Sequence, residues 1–229
     1  MTLLLLLEES LTLEVEMRKA GKSALTSVSL AATAVVAVTA AAVAGTWTVL
    51  PGGPVTAVNY GKITATDIAT GGTVNCTNSS ASATSMSGSG LSPDNLVSIN
   101  SIKFDSPANR FGWCVAPGDI AWEVTAQNLP WKLSAVAANS DGASGRVTGV
   151  VLSNVGDDGC HTTFGAPGGG PGQIDVTYVN ATHRVQVTGT NLVVQSIDMN
   201  CDQTLINVGD ALKITGSFVI SPSMTVTSP

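Results

Sequence analysis

Ile120-Ala121-Trp122-Glu123-Val124-Thr125-Ala126-Gln127 decides the fold. In an extended chain successive side chains point to opposite faces, so Ile120, Trp122, Val124 and Ala126 share one face, and Ala121, Glu123, Thr125 and Gln127 the other. One apolar and one mostly polar face is the pattern of an antiparallel sheet with a single wet side. The same period returns along the chain. Ile174, Val176 and Tyr178 oppose Asp175 and Thr177, and Val185 and Val187 oppose Arg184, Gln186 and Thr188. Leu212, Ile214, Phe218 and Ile220 alternate with Lys213, Thr215 and Ser217. Further strands are expected at 55–60, 96–104, 132–137, 147–153 and 224–227. Past Gly45 no stretch carries a 3.6-residue apolar period. The reading is all-β: an antiparallel β-sandwich or β-barrel-like domain of roughly 8–10 short strands, preceded by a helical signal segment.

Local irregularities refine this picture. Between 96 and 104 the apolar phase slips, with Val97 and Ile99 odd and Ile102 and Phe104 even, which a bulge near Asn100-Ser101 would reconcile. Turns are expected at Asp141-Gly142, Asp157-Asp158-Gly159 and Gly209-Asp210. Two segments are expected to be mobile: the Ser/Ala/Gly tract 79–90, which has almost nothing to bury, and the Gly/Pro run 165–172, which cannot hold regular structure. The second run lacks the Lys-Ser/Thr ending of a phosphate loop.

Met17-Arg18-Lys19-Ala20-Gly21-Lys22, an Ala/Val-rich run over 24–43 and the exit Ala42-Val43-Ala44 form a signal peptide over 17–44, cleaved before Gly45. A retained anchor is the rival, since the run matches the ~20 residues that span a bilayer. Residues 1–16 place four glutamates ahead of the basic region, and we read them as a mis-called upstream leader. Residues 45–229 then form a single secreted β-domain, with seven basic against twelve acidic side chains. Charged residues are only 11% of the chain and the net charge is -6, which argues against a nucleic-acid partner. A membrane enters only if 24–43 stays uncleaved.

Cys76, Cys114, Cys160 and Cys201 all follow the cleavage point, and an even count in an exported chain reads as two disulfides. Three pairings are open. Cys76–Cys114 with Cys160–Cys201 is favoured, because it closes two consecutive loops of similar size. No C-x-x-C occurs, so zinc is not expected, and neither is any cofactor.

Cys114, Leu129-Pro130-Trp131, Asp158-Gly159-Cys160, Tyr178-Val179-Asn180-Ala181-Thr182, Gly209-Asp210 and the endings Ile220-Ser221-Pro222-Ser223 and Thr227-Ser228-Pro229 carry a resemblance. Over residues 70–229 the chain resembles an uncharacterised family of small secreted actinobacterial proteins. That resemblance implies export and two disulfides, and it transfers no catalytic residue. The run 165–172 departs from it.

Candidates for chemistry are few. His161 and His183 are the only imidazoles; His183 falls in phase with Val185 at a strand start and reads as structural. His161, with Asp157 or Asp158 and a serine, would be the machinery of a secreted hydrolase. Glu123 is the only glutamate after Gly45 and sits on a polar strand face, which does not suit a two-carboxylate glycosidase. Asp141, Asp157 and Asp158 offer hard oxygen ligands for calcium. Trp113 and Trp131 are candidate ligand platforms, Trp122 reads as core, and Trp47 as part of an exposed N-terminal arm. The expectation is a non-catalytic extracellular or cell-envelope β-domain, a binding or structural protein with an unknown extracellular or envelope ligand. A hydrolase at His161 and a protease inhibitor presenting 165–172 are the alternatives.

Overall fold

The structure is a computed structural model that describes residues 46–228. The leader 1–16 and the signal segment 17–44 lie outside the described residues. The described chain is all-β and falls in one compact unit. Its first half holds β1 (Trp47–Leu50), β2 (Gly53–Asn59), β3 (Ile63–Asp67), β4 (Thr73–Cys76), β5 (Asn78–Ser85), β6 (Gly88–Leu91), β7 (Val97–Asp105), β8 (Cys114–Val115) and β9 (Ala121–Gln127). Its second half holds β10 (Trp131–Asn139), β11 (Gly142–Gly156), β12 (His161–Gly165), β13 (Gly172–Val179), β14 (Arg184–Thr190), β15 (Val193–Ile197), β16 (Leu212–Thr215), β17 (Ser217–Ser221) and β18 (Thr225–Thr227).

Eight strands close an antiparallel barrel in the order β2-β5-β7-β10-β11-β13-β14-β17, with β17 returning to β2. β11 is the axle of the molecule. Its first nine residues pair with β10 and β13, and from Val151 on it pairs instead with β9 and β12. The switch follows a bulge at Gly149, whose φ of +85° a side chain would resist. Beyond the bulge the pairings run from β9 through β8, β4 and β3 to β16. A bridge between Val193 and Ala211 joins that path to β15, so both of its ends are covered. The barrel therefore has an upper storey and a lower one. The three-stranded sheet β18-β1-β6 caps the upper end.

Alternation explains which side chains fill the interior. Val55, Ala143 and Tyr178 meet Trp47, Val49 and Met224 at the capped end. Lower down, Trp131, Val150, Leu152, Phe164, Leu192 and Val194 form the main core. Burying each such side chain is worth roughly 1.5–3 kcal/mol.

Several sequence expectations are corrected. Among the described residues there are eighteen strands rather than 8–10, because long ribbons change partners and break into short ones. The stretch 212–220 splits at Gly216, where a Cβ would run into Ile63. Trp47 is not on an exposed arm: it is buried in the cap. The tract 79–90 is not irregular, since most of it forms β5 and β6. In β5 the small inward residues Ser79, Ala81, Ala83 and Ser85 let the neighbouring Val55, Ile99 and Ile102 fill the space. The bulge near Asn100 is present: Ser82 pairs Ser101 and Ala83 pairs Ile99, leaving Asn100 unpaired.

Candidate functional site

The lower storey is not filled. A cavity of about 160 Å³ lies between β3, β4, β7, β9, β11, β12 and β16, and its walls are almost wholly apolar. Phe104, Trp122, Leu152, Phe164, Leu212 and Ile214 are among them. The segment 198–210, between β15 and β16, crosses the lower end as a lid and brings Leu205 and Ile206 to the cavity. It is fastened on both sides. The Cys160–Cys201 disulfide and the Asn200 Nδ2 donation to Gly159 O (3.1 Å) hold it to the β11–β12 turn. On the other side Thr70 Oγ1 donates to Leu205 O (2.7 Å) from the β3–β4 turn. Within the lid Asp202 accepts from Thr204 Oγ1 and N, and these bonds hold its carboxyl below the usual carboxylate value.

Polar groups at the cavity are few and acidic. Asp67 ends β3, is 6% exposed and lines the cavity. Its Oδ1 accepts from Ala69 N (2.9 Å) and Thr70 N (3.1 Å), while its Oδ2 has no hydrogen-bond partner. Asp158 and Asp202 also line the cavity, and no Lys, Arg or His does so among the described residues. Buried Asn154 is tied up locally: its amide is turned so that the oxygen accepts from Trp122 Nε1 (2.7 Å) and the nitrogen donates to Ser153 O (2.8 Å).

The candidates named from sequence are dispersed. The disulfides are Cys76–Cys114 and Cys160–Cys201, as favoured. Trp131 is no surface platform: it is 2% exposed, donates from Nε1 to Gln127 O (2.8 Å) and lines the cavity from inside. Trp113 is half-buried beside the first disulfide, with its ring 5.1 Å from that of Phe111. The three aspartates proposed for calcium do not come together. Asp141 and the Asp157-Asp158 pair sit at opposite ends of the 15-residue β11, roughly 40–50 Å apart along the strand. Two of the carboxylates have local partners instead: Asp157 accepts from Ala121 N and pairs with Arg110, and Asp158 accepts from Cys160 N. Cys160, Cys201 and Asp198 cluster, but two sulfurs bonded to each other offer no thiolate to a metal.

His161 is exposed at the start of β12, and among the described residues its ring makes no hydrogen bond to a serine or an aspartate. His183 is structural, with Nδ1 against Tyr178 Oη (3.4 Å) and Met224 O (3.3 Å). Glu123 is exposed, as its strand phase requires. The run 165–172 contains the loop between β12 and β13, pinned by Gln195 Nε2 donating to Gly170 O (2.7 Å) and Ala166 O (3.0 Å).

Sequence reasoning missed Asp67 and the lid. An aspartate ahead of Ile68-Ala69-Thr70-Gly71-Gly72 reads as turn punctuation, and the turn does use one of its oxygens; nothing local reveals the burial of the other. No protein-family model, curated protein or solved structure matches the chain.

Proposed function

We propose that the chain is exported and works as a non-catalytic binding module in the extracellular space or cell envelope. The cavity is the observation that carries this reading. A folded interior is packed like an organic crystal, and the apolar walls of this cavity offer contacts that an apolar occupant would complete. Both disulfides support the extracellular half, because such bonds persist in oxidising compartments. Among the described residues no helix is long and apolar enough to cross a membrane. Among the described residues the His161 ring has no hydrogen bond to a serine or an aspartate, so the hydrolase reading finds no geometric support there.

Fractionation tests the proposal. Unreduced protein from culture medium and from washed envelope is weighed intact, then sprayed under native conditions. The expected result is a species of residues 45–229 less four hydrogens, accompanied by a bound molecule that denaturation releases. Protein retained inside the cell with four free thiols would overturn the extracellular reading. Export with no bound species, and no binding to envelope polymers, would overturn the binding reading.

A further inference from the structure

We infer that the lower cavity receives a small apolar amine, with Asp67 taking the ammonium head; the inference rests on the binding reading and specifies its ligand class. Size sets the first limit. A cavity of about 150 Å³ lined by Leu, Ile and Phe accommodates benzene, and this one is of about 160 Å³ with the same kinds of wall. A single ring or a short alkyl chain fits it.

Charge sets the second limit. The ionisable residues lining the cavity are all acidic: Asp158 and Asp202 are exposed to solvent, and Asp67 is the buried one that sets the charge inside. A carboxylate-bearing ligand would bring a like charge into low dielectric, where repulsion is weakly screened. A cationic head is drawn to the same place.

Hydrogen bonding sets the third. The two backbone donors on Oδ1 hold the Asp67 carboxylate in one orientation, and Oδ2 is left buried and unpartnered. Buried acceptors are almost always satisfied, because an unmade bond in the interior is unfavourable. An ammonium provides the missing donor and the opposite charge together, and charge-assisted bonds are the stronger kind.

The test keeps the ring fixed and changes the head. Benzylamine, benzyl alcohol and benzoate are titrated at neutral pH into the intact, disulfide-bonded protein, read by Trp fluorescence and calorimetry. Trp122 and Trp131 both line the cavity, so occupancy alters their emission. Benzylamine is expected to bind about tenfold or more tightly than benzyl alcohol, and benzoate to give no signal. Asp67→Asn keeps an acceptor for the turn and is expected to bring benzylamine down to the level of the alcohol. Ala65→Phe, which fills the cavity from β3, is expected to abolish binding of both. Benzoate binding as well as benzylamine, or an amine preference that survives Asp67→Asn, would overturn the assignment. The charge series is read on the unaltered protein, so it decides even if a variant fails to fold. Absence of all three signals overturns this inference alone, whereas the native mass of a co-purified partner reports on the broader binding reading.

Discussion

Gly156 shows how tightly single positions are specified. A methyl there would meet the Trp122 ring at 3.0 Å and collide with the Asp158 carboxylate, both fixed by their own hydrogen bonds. Gly156→Ala is therefore expected to destabilise by about 2 kcal/mol through overpacking, measured as a lower urea midpoint with unchanged slope. Tyr178 gives a pH handle. Burial raises its phenol above the ordinary 10.0, and its donation to Met224 O (2.6 Å) is made only by the neutral form. In the unfolded chain the phenol ionises first, so this group's stabilisation is complete below pH 10 and is lost as pH rises through the higher folded value. Tyr178→Phe is expected to cost about 1 kcal/mol at pH 8 and to flatten that alkaline loss, as urea melts at pH 8 and 11 would read. At this scale the sequence is partly legible. Trp122 reads as core because its strand alternates cleanly, whereas Trp131 follows a proline and looks like a turn residue until β7 and β11 are seen on either side of it.

Elements were legible where large apolar residues alternate, as in β9, β13 and β14. β5 obeys the same period with Ser and Ala, and hydrophobicity alone cannot mark it; its pattern becomes a strand only beside bulky neighbours. The length of β11 was hidden for a similar reason, since Gly142-Ala143-Ser144-Gly145 supplies small residues where strands approach closely. The lid was illegible because an apolar pair in a polar loop has no period. Its fastening is testable. The Cys160–Cys201 bond closes a loop with a sequence separation of 41 residues, which in the chain-entropy account is worth about 4 kcal/mol. Replacing both cysteines by serine is expected to lower stability by that order. It is also expected to speed amide hydrogen exchange over 198–210 more than over β13 or β14, and equal acceleration everywhere would contradict a local role.

At the scale of the whole molecule, ring closure dominates. β2 and β17, from the two ends of the described chain, are neighbouring staves, and β1 pairs β18 with Thr48 opposite Thr227. The ends are thus adjacent, and a circular permutant that joins 228 to 46 by a short linker and opens within 167–170 is expected to melt within a few degrees of the parent. A chain stopped at residue 216 lacks a stave and both its hydrogen-bonded seams. It is expected to show neither the cooperative urea transition nor near-ultraviolet tryptophan dichroism. All-β architecture was readable from alternation, but closure was not, because register between distant strands leaves no trace in local pattern.

Closure by the final staves also sets an order in time. A chain emerging amino end first has the edge of β2 that faces β17 unpaired until residues 217–221 have appeared. Until then the ring stays open, with β2 and β14 each lacking a partner on one side. Emergence of β17, rather than of any earlier stave, is what lets the ring close.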